Sequence, residues 1–206
     1  MKIRILAASA AALGLVACGG SDSANQSSPT ESDAVAGNAA ARADAGAMNN
    51  MAAPAAAPAA NGQEYATRAA ASDLFEIESA RLATEKARSP DIKAFAQMLI
   101  GDHQKSTNDL KDAAQKAQPA ITVAPALDPE QQSMMQALKA AGSEEFDRTF
   151  TQQQVQAHQK ALALVQSYAQ SGDVPSLKQH ASTVAGPIQQ HLQRAQQLAG
   201  AASTAR

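Results

Sequence analysis

Side chains that can bind a metal ion recur in the apolar stripes of the predicted helices. Three of the four histidines occupy such positions on three different helices: His103, His158 and His191. The equivalent residue on a further helix is Glu78, and a rise of 1.5 Å per residue puts all four within about one turn of a common layer. The fourth histidine, His180, lies ~16 Å from His191 along its helix and is too far away to join them. One carboxylate and three imidazoles form a ligand set for one transition-metal ion, with Fe, Zn, Cu and Mn as candidates.

A second interpretation of the same layer needs no metal. An unpaired carboxylate among apolar side chains is costly, so Glu78 requires a cation, an imidazolium or water. A hydrogen-bonded network of Glu78 and the histidines meets that need as well as a metal ion does. The Glu-x-x-His pair of di-iron bundles is missing, because isoleucine stands three residues before both His103 and His191. Both interpretations stay open at this point.

Two polar residues near these positions are candidates for orienting an imidazole rather than for binding the ion. Asp102 is adjacent to His103 in sequence and therefore points about 100° away around the helix. Gln154 lies one turn before His158 on the same face and can hydrogen-bond an imidazole. Glu76 lies on the flank of the first helix and is expected to be exposed.

Capping residues and hydrophobic periodicity predict the helices that must carry these side chains. Ser89–Pro90 and Asp128–Pro129 each combine an N-cap residue with a proline suited to the first helical turn. Pro187 lies inside the last helix and is expected to kink it. The predicted helices span residues 64–88, 90–118, 129–141 and 143–170, followed by a last helix after the turn at 171–175.

The connection at residues 117–130 contains three prolines and indicates the chain plan. The near absence of a loop at Ser89 makes the first two long helices an antiparallel hairpin, and the last two form a second one. The predicted fold is all-α: a ferritin-like four-helix bundle of two helical hairpins joined by a long crossover that contains a short helix. A simple up-down bundle is the alternative, although it would not need so long a connection.

The N-terminal segment resembles a bacterial lipoprotein signal. Two basic residues precede an uncharged apolar run that ends at Ala17, and the sequence "LVAC" at residues 15–18 resembles a lipobox. This resemblance implies a signal peptide at residues 1–17 and lipidation of Cys18, which would anchor the mature protein in a membrane. Because Gly19 follows the cysteine, we expect the outer membrane rather than the inner membrane, with the protein facing the periplasm.

Composition divides the remaining chain and excludes one class of partner. Residues 18–62 contain few large apolar side chains and predict a disordered tether rich in Ala, Pro and Ser. Residues 63–200 form the predicted bundle, and residues 201–206 a disordered tail. A net charge of −2 and 3% aromatic residues argue against nucleic-acid binding. The partner that the lipobox resemblance implies is the membrane, through Cys18, and the sequence leaves any protein partner unknown.

Three segments of the predicted bundle resemble the exported bacterial ferritin-like family catalogued as domain of unknown function 4142. The resemblance implies a ferritin-like fold and an envelope location, and its pattern falls on Glu78, His103, His158 and His191. It implies no specific activity. The matching segments are "FEIESARLATEKARSPDIKAFAQMLIGDHQKSTNDLKDAA" at residues 75–114, "FDRTFTQQQVQAHQKAL" at 146–162 and "GPIQQHLQRAQQL" at 186–198.

Two functional hypotheses follow from the sequence. The first is a lipid-anchored envelope protein that acts by binding or in a stress response, with no specific activity assigned. The alternative is a metal-binding bundle for storage, sensing or redox chemistry, centred on the glutamate and the three histidines. The chain has neither a glycine-rich phosphate loop nor a nucleophile with a base at informative spacing, which leans against an enzyme.

Replacing the lipidated residue tests the predicted anchor. We expect Cys18→Ser to leave the protein unlipidated and soluble in the envelope, because no thiol remains to carry the diacylglycerol. Fractionation of cells expressing wild type, Cys18→Ser and the control Ser21→Ala measures this. Continued recovery of Cys18→Ser with the membranes would contradict the anchor.

Overall fold

The computed structural model of the protein describes residues 57–204. The predicted signal peptide, Cys18 and all but the last residues of the predicted tether lie outside this range. Within it the chain forms helices and no strands, which confirms the all-α prediction. None of the helices in this described part combines the length and apolar character that a bilayer crossing requires.

Residues 57–204 contain five helices. Side chains of Asn61, Ser89 and Asp128 cap the first three by accepting a hydrogen bond from a backbone N–H of the first turn, as capping preferences predict. Glycine precedes the fourth helix and supplies no side-chain cap. The helices are α1 (Gly62–Lys86), α2 (Pro90–Gln115), α3 (Pro129–Ala140), α4 (Ser143–Ser171) and α5 (Pro175–Thr204).

The last helix differs from its prediction at its C-terminal end. α5 continues to Thr204, so the first four residues of the predicted tail at 201–206 are helical. Alanine, which has the highest helix propensity, occupies two of those four positions. Pro187 lies inside α5, as the sequence indicates, without ending the helix.

Contacts between the ends of the helices define the topology. Tyr65 at the start of α1 stacks on Tyr168 near the end of α4, with ring centroids 4.1 Å apart. Asp147 near the start of α4 accepts hydrogen bonds from the backbone N–H of Arg88 and of the next residue, in the α1–α2 turn. Helices α2 and α4 therefore run in the same direction, and residues 116–142 cross the length of the bundle. Two hairpins joined by a long crossover are thus confirmed, and the up-down bundle is excluded.

One lysine holds the C-terminal end of α3 against the bundle. The ammonium Nζ of Lys86 donates to the carbonyl oxygens of Leu138, Lys139 and Ala141 at 2.9 to 3.3 Å, and lies 5.3 Å from the ring centroid of Phe146. A cation at a helix C-terminus satisfies carbonyl groups that have no partner within the helix and opposes the negative end of the helix dipole. Lys86 thereby fixes the crossover to α1.

We expect Lys86→Met to lower the free energy of unfolding by about 1–2 kcal/mol, since it removes charge-assisted hydrogen bonds and keeps the aliphatic stem. Lys105→Met is the control, because Lys105 forms an exposed pair with Asp109 on a single helix and should cost under ~0.5 kcal/mol. Urea unfolding of the two variants and the wild type measures the difference. Equal losses in both variants would show that Lys86 does not hold α3.

The core consists of two apolar clusters separated by a polar layer. The Tyr65 cluster lies towards the start of α1, and the Phe150 cluster lies towards the α1–α2 turn. His103, His158 and His191 each lie, along their helices, between residues of one apolar cluster and residues of the other, so the polar layer crosses the bundle near its middle. The larger buried side chains are Tyr65, Leu110, Leu164, Tyr168 and Leu177 in the first cluster and Phe75, Phe95, Leu138, Phe146 and Phe150 in the second.

Candidate metal centre

The polar layer brings three imidazoles from three helices together. His103 of α2, His158 of α4 and His191 of α5 are 4%, 1% and 3% exposed. Their ring centroids form a nearly equilateral triangle with sides of 5.4 to 5.7 Å. We call these three residues the histidine cluster. His180 does not belong to it: its Nδ1 is 2.8 Å from the hydroxyl of Tyr65, within the Tyr65 cluster.

In each ring of the histidine cluster one nitrogen is hydrogen-bonded to an oxygen outside the cluster. Carboxylate and carbonyl oxygens only accept, so each of these ring nitrogens carries the proton and donates it. The pairs are His103 Nδ1 with Asp73 Oδ1 (2.8 Å), His158 Nδ1 with the backbone oxygen of Gln154 (2.9 Å), and His191 Nε2 with Asp102 Oδ2 (2.9 Å).

The other nitrogen of each ring is buried and has no hydrogen-bond partner. These atoms are His103 Nε2, His158 Nε2 and His191 Nδ1. One nitrogen from each residue lies within 4.8 Å of the other two. Nitrogens bound to one tetrahedral ion at ~2.0–2.1 Å are about 3.3 Å apart, so the rings need to move inward by under ~1 Å. The chemistry of the layer fits a metal ion, since one nitrogen of each ring donates to an oxygen outside the cluster and the other has no partner.

Burial determines the protonation state of two of the imidazoles. It lowers the pKa of His158 well below the usual 6.5, and the nearby His103 lowers it further. Burial also lowers the pKa of His191, against the opposing effect of Asp102. The pKa of His103 is different: burial lowers it, but the hydrogen bond with Asp73 and the charge of Glu76 outweigh this and raise it. Two rings are therefore neutral near pH 7, which is the form that binds metals.

The glutamate in this layer is Glu76 and not Glu78. Glu76 is 1% exposed and its Oε1 lies 3.6 Å from Nδ1 of His158, whereas Glu78 is only half-buried on the side of α1. The predictions that Glu78 lies in the layer and that Glu76 is exposed are both wrong. The inner face of α1 is shifted by one residue from the predicted stripe of large apolar side chains. It is a heptad series of mostly small residues: Ala66, Ala69, Asp73, Glu76, Ala80 and Ala83.

Asp73 is the second member of the site that the sequence analysis missed. Its Oδ1 accepts from His103, and its Oδ2 accepts from the hydroxyl of Thr107 at 3.2 Å. Asp73 precedes Glu76 in the same heptad series, so both interrupt a run of alanines on the buried face of α1. Two acids at the inward positions of an alanine-rich helix were the available signal.

Asp102 and Gln154 each hydrogen-bond an imidazole of the cluster. Asp102 contacts His191 and not the adjacent His103, and Gln154 uses its backbone oxygen and not its side chain. Asp102 points away from His103, its neighbour in sequence, and reaches His191 on α5. Gln154 binds His158 through its backbone carbonyl, while its side-chain Nε2 donates to the hydroxyl of Ser79 at 3.1 Å.

Glu76 is the least favourably buried group of the layer. Burial raises its pKa from 4.5 to about 7, with nearby Asp73 adding to the rise and His103 and the Gln154 side chain opposing it. Its Oε2 has no hydrogen-bond partner. Because the pKa in the folded state is raised, the folded protein binds this proton more tightly than the unfolded chain. Stability is therefore lost as the pH rises from 4.5 through 7.

We expect Glu76→Gln to stabilise the metal-free protein at pH 8 by about 3 kcal/mol, at ~1.4 kcal/mol per pKa unit, because a neutral amide avoids the cost of burying a charge. At pH 4.5 the gain should be small, since Glu76 is then protonated. Glu78→Gln is the matched control and should change stability by less than ~0.5 kcal/mol at either pH. Thermal unfolding at the two pH values measures this. A stabilisation of Glu76→Gln that did not depend on pH would contradict the explanation.

Fold and site together define an all-helical, single-crossover bundle with a buried cluster of histidines in its core. The chain belongs to the family described as Domain of unknown function (DUF4142), whose profile matches residues 47–198, which confirms the family resemblance seen in the sequence. A solved structure of CopM in the Cu(II)-bound form is similar, with a TM-score of 0.57 and 19% sequence identity over 68% of this chain and 96% of that chain. At this identity the likeness concerns the fold. The search of curated proteins found no match.

Proposed function

We propose that this protein binds one divalent transition-metal ion in the bacterial cell envelope, with the histidine cluster as its ligands. One observation carries the proposal. Each of the three buried rings donates a hydrogen bond to an oxygen outside the cluster and leaves its other nitrogen without a partner, and one nitrogen from each ring lies within 4.8 Å of the other two. Histidines that bind metals are typically oriented in this way by a carboxylate or a backbone carbonyl.

The hydrogen-bonded network without metal explains these contacts less well. In such a network the ring nitrogens and the Glu76 carboxylate would form hydrogen bonds with one another. Instead three ring nitrogens and Glu76 Oε2 remain unpaired in the middle of the core, where each unsatisfied polar atom costs about 1–3 kcal/mol. A metal ion bound to the three nitrogens would remove most of this cost at once.

The charges around the cluster suit a divalent cation. Three neutral imidazoles leave the charge of a bound ion uncompensated. Asp73 and Asp102 lie behind two of the rings, and Glu76 lies beside the third. The buried carboxylates of Asp73 and Glu76 favour the cation without occupying its coordination sphere, whereas the half-exposed Asp102 is screened by solvent and adds little to the binding free energy. Glu76 therefore has a role in binding, although it destabilises the metal-free protein.

Copper is the first candidate and zinc the second. Imidazole ligands suit Cu, Zn, Fe and Ni, and Cu(II) is the most tightly bound of the divalent ions in the Irving–Williams order. The similarly folded CopM binds Cu(II), which supports the same choice. Burial of the whole cluster favours holding the ion over catalysis on it, since a catalytic metal keeps a position open for substrate.

The proposed location rests on the N-terminal segment alone. Cys18 would carry the lipid, with residues 19–56 between the anchor and the described part of the chain. The bundle would then face the periplasm, from the outer membrane rather than the inner one. There it would bind metal ions that enter the envelope.

We expect the full-length protein, purified without a histidine tag, to retain one equivalent of Cu(II) or Zn(II) after dialysis. His158→Leu should retain none, because it removes the most deeply buried ligand and replaces it with an apolar side chain of suitable size. His180→Gln is the control and should bind as the wild type does, because His180 lies outside the cluster. Elemental analysis after incubation with Cu(II), Zn(II), Fe(II) or Mn(II) measures the stoichiometry.

Thermal unfolding provides a second measurement on the same samples. Free metal at about 100 times Kd should stabilise the wild type and His180→Gln by about 2.7 kcal/mol and leave His158→Leu unchanged. If the wild type retained no metal and its Tm did not respond, the proposed function would be wrong. Equal binding by wild type and His158→Leu would place the metal elsewhere.

A further inference from the structure

A cleft between α2 and α5 reaches the histidine cluster from the surface. Its volume is about 400 Å³, and its walls include Met98, Asp102 and Thr183 together with His103 and His191 of the cluster. A larger groove of about 650 Å³ between α1 and α4 has none of the three histidines in its walls. Of these two, the cleft between α2 and α5 is the one that leads to the site.

The three outward hydrogen bonds of the cluster differ in their exposure to solvent. The side chain of Asp73, which holds His103, is 8% exposed, and Gln154, which holds His158, is fully buried. The side chain of Asp102, which holds His191, is 52% exposed and lines the cleft. Only this third bond can be reached by an ion that arrives from outside.

His191 lies between the Asp102 carboxylate in the cleft and the other histidines of the cluster. Its Nε2 faces Asp102 and the cleft, and its Nδ1 is one of the unpaired nitrogens of the cluster. The contact with Asp102 is the only hydrogen bond of this imidazole within the described residues. A cation that displaces His191 from the Asp102 carboxylate therefore removes the hydrogen bond that orients this ring.

We propose that Asp102 and His191 form an outer capture site through which the metal ion enters and leaves the cluster; this inference rests on the proposed function. The Asp102 carboxylate binds the incoming cation in the cleft, and its hydrogen bond to His191 is released. The freed imidazole turns, and the ion passes to the unpaired nitrogens behind it. Met98 is exposed at the mouth of the cleft and adds a thioether that suits copper.

The charges of the cleft agree with cation capture. Its ionisable side chains outside the cluster are Asp102, Asp109 and Lys105. Lys105 is paired with Asp109 at 2.5 Å, which leaves the Asp102 carboxylate as the uncompensated charge. A negative group in a cleft raises the local concentration of cations and their rate of association.

Two isosteric variants distinguish a carboxylate that captures the incoming ion from one that only orients a histidine ligand. Asp102→Asn and Asp73→Asn each keep an oxygen that accepts from a cluster histidine, and each removes one negative charge. The full-length protein is mixed with Cu(II) in a stopped-flow instrument, and binding is followed by quenching of its tyrosine fluorescence, as the chain has two tyrosines and no tryptophan. Release is followed after adding excess EDTA.

We expect Asp102→Asn to slow both loading and release by about tenfold and to change Kd by less than about threefold, since a group on the path affects both directions alike. Asp73→Asn should load at the wild-type rate and lose Cu(II) about 10–100 times faster, as expected for a group that only supports a ligand. Thr183→Trp, which puts a large side chain in the wall of the cleft and leaves the cluster residues unchanged, should slow loading and preserve Kd.

Wild-type loading rates in both Asp102→Asn and Thr183→Trp would overturn the capture site and leave the proposed function intact. The same would follow if Asp102→Asn weakened Kd and sped up release as Asp73→Asn does, because Asp102 would then only orient His191. If the wild type bound no Cu(II) in the stoichiometric measurement, the proposed function and the capture site would both be wrong.

Discussion

The constraint on which this structure depends is the burial of three imidazoles and a carboxylate midway along a four-helix bundle. Polar groups buried in such a position are stable only when they are hydrogen-bonded or bound to an ion. Here only one nitrogen of each imidazole has a hydrogen-bond partner. This nitrogen is hydrogen-bonded to an oxygen outside the cluster, while the other nitrogen of each ring and Glu76 Oε2 are unsatisfied. The apolar clusters on either side supply the stability that tolerates this cost. The metal ion proposed above would satisfy these nitrogens.

Much of the helical framework could be predicted from the sequence because large apolar residues mark the inner faces of α2 and α5. On α5, Leu177, Ile188 and Leu198 recur at heptad spacing, and all are buried as expected. The histidines could be placed in one layer for the same reason. On α1 the large side chains were misleading. Phe75 is buried, but the inner face of α1 consists of alanines on either side of Asp73 and Glu76. A prediction based on the large side chains therefore placed the inner face one residue away from its true position and chose Glu78 instead of Glu76.

The partners of the imidazoles could not be predicted, because they depend on which helices are neighbours. Asp102 is adjacent to His103 in the chain and is oriented away from it, so its role follows only from the position of α5 beside α2. The contribution of Gln154 comes from its backbone, which no residue type reveals. The extension of α5 to Thr204 shows a related limit. Alanine permits a helix end and a helix interior equally, and the sequence offers no stop signal before residue 204.

The division of the histidines between the two hairpins has a consequence for how the halves of the molecule are connected. His103 belongs to the hairpin of α1 and α2, whereas His158 and His191 belong to the hairpin of α4 and α5. The only covalent connection between these hairpins is the segment at residues 116–142. An ion shared by the three rings would be a second, reversible cross-link, closing a large ring through the chain as a disulfide does, but with ligands that the environment can supply or withdraw. The rigidity with which the two hairpins hold each other would then follow the supply of metal outside the protein.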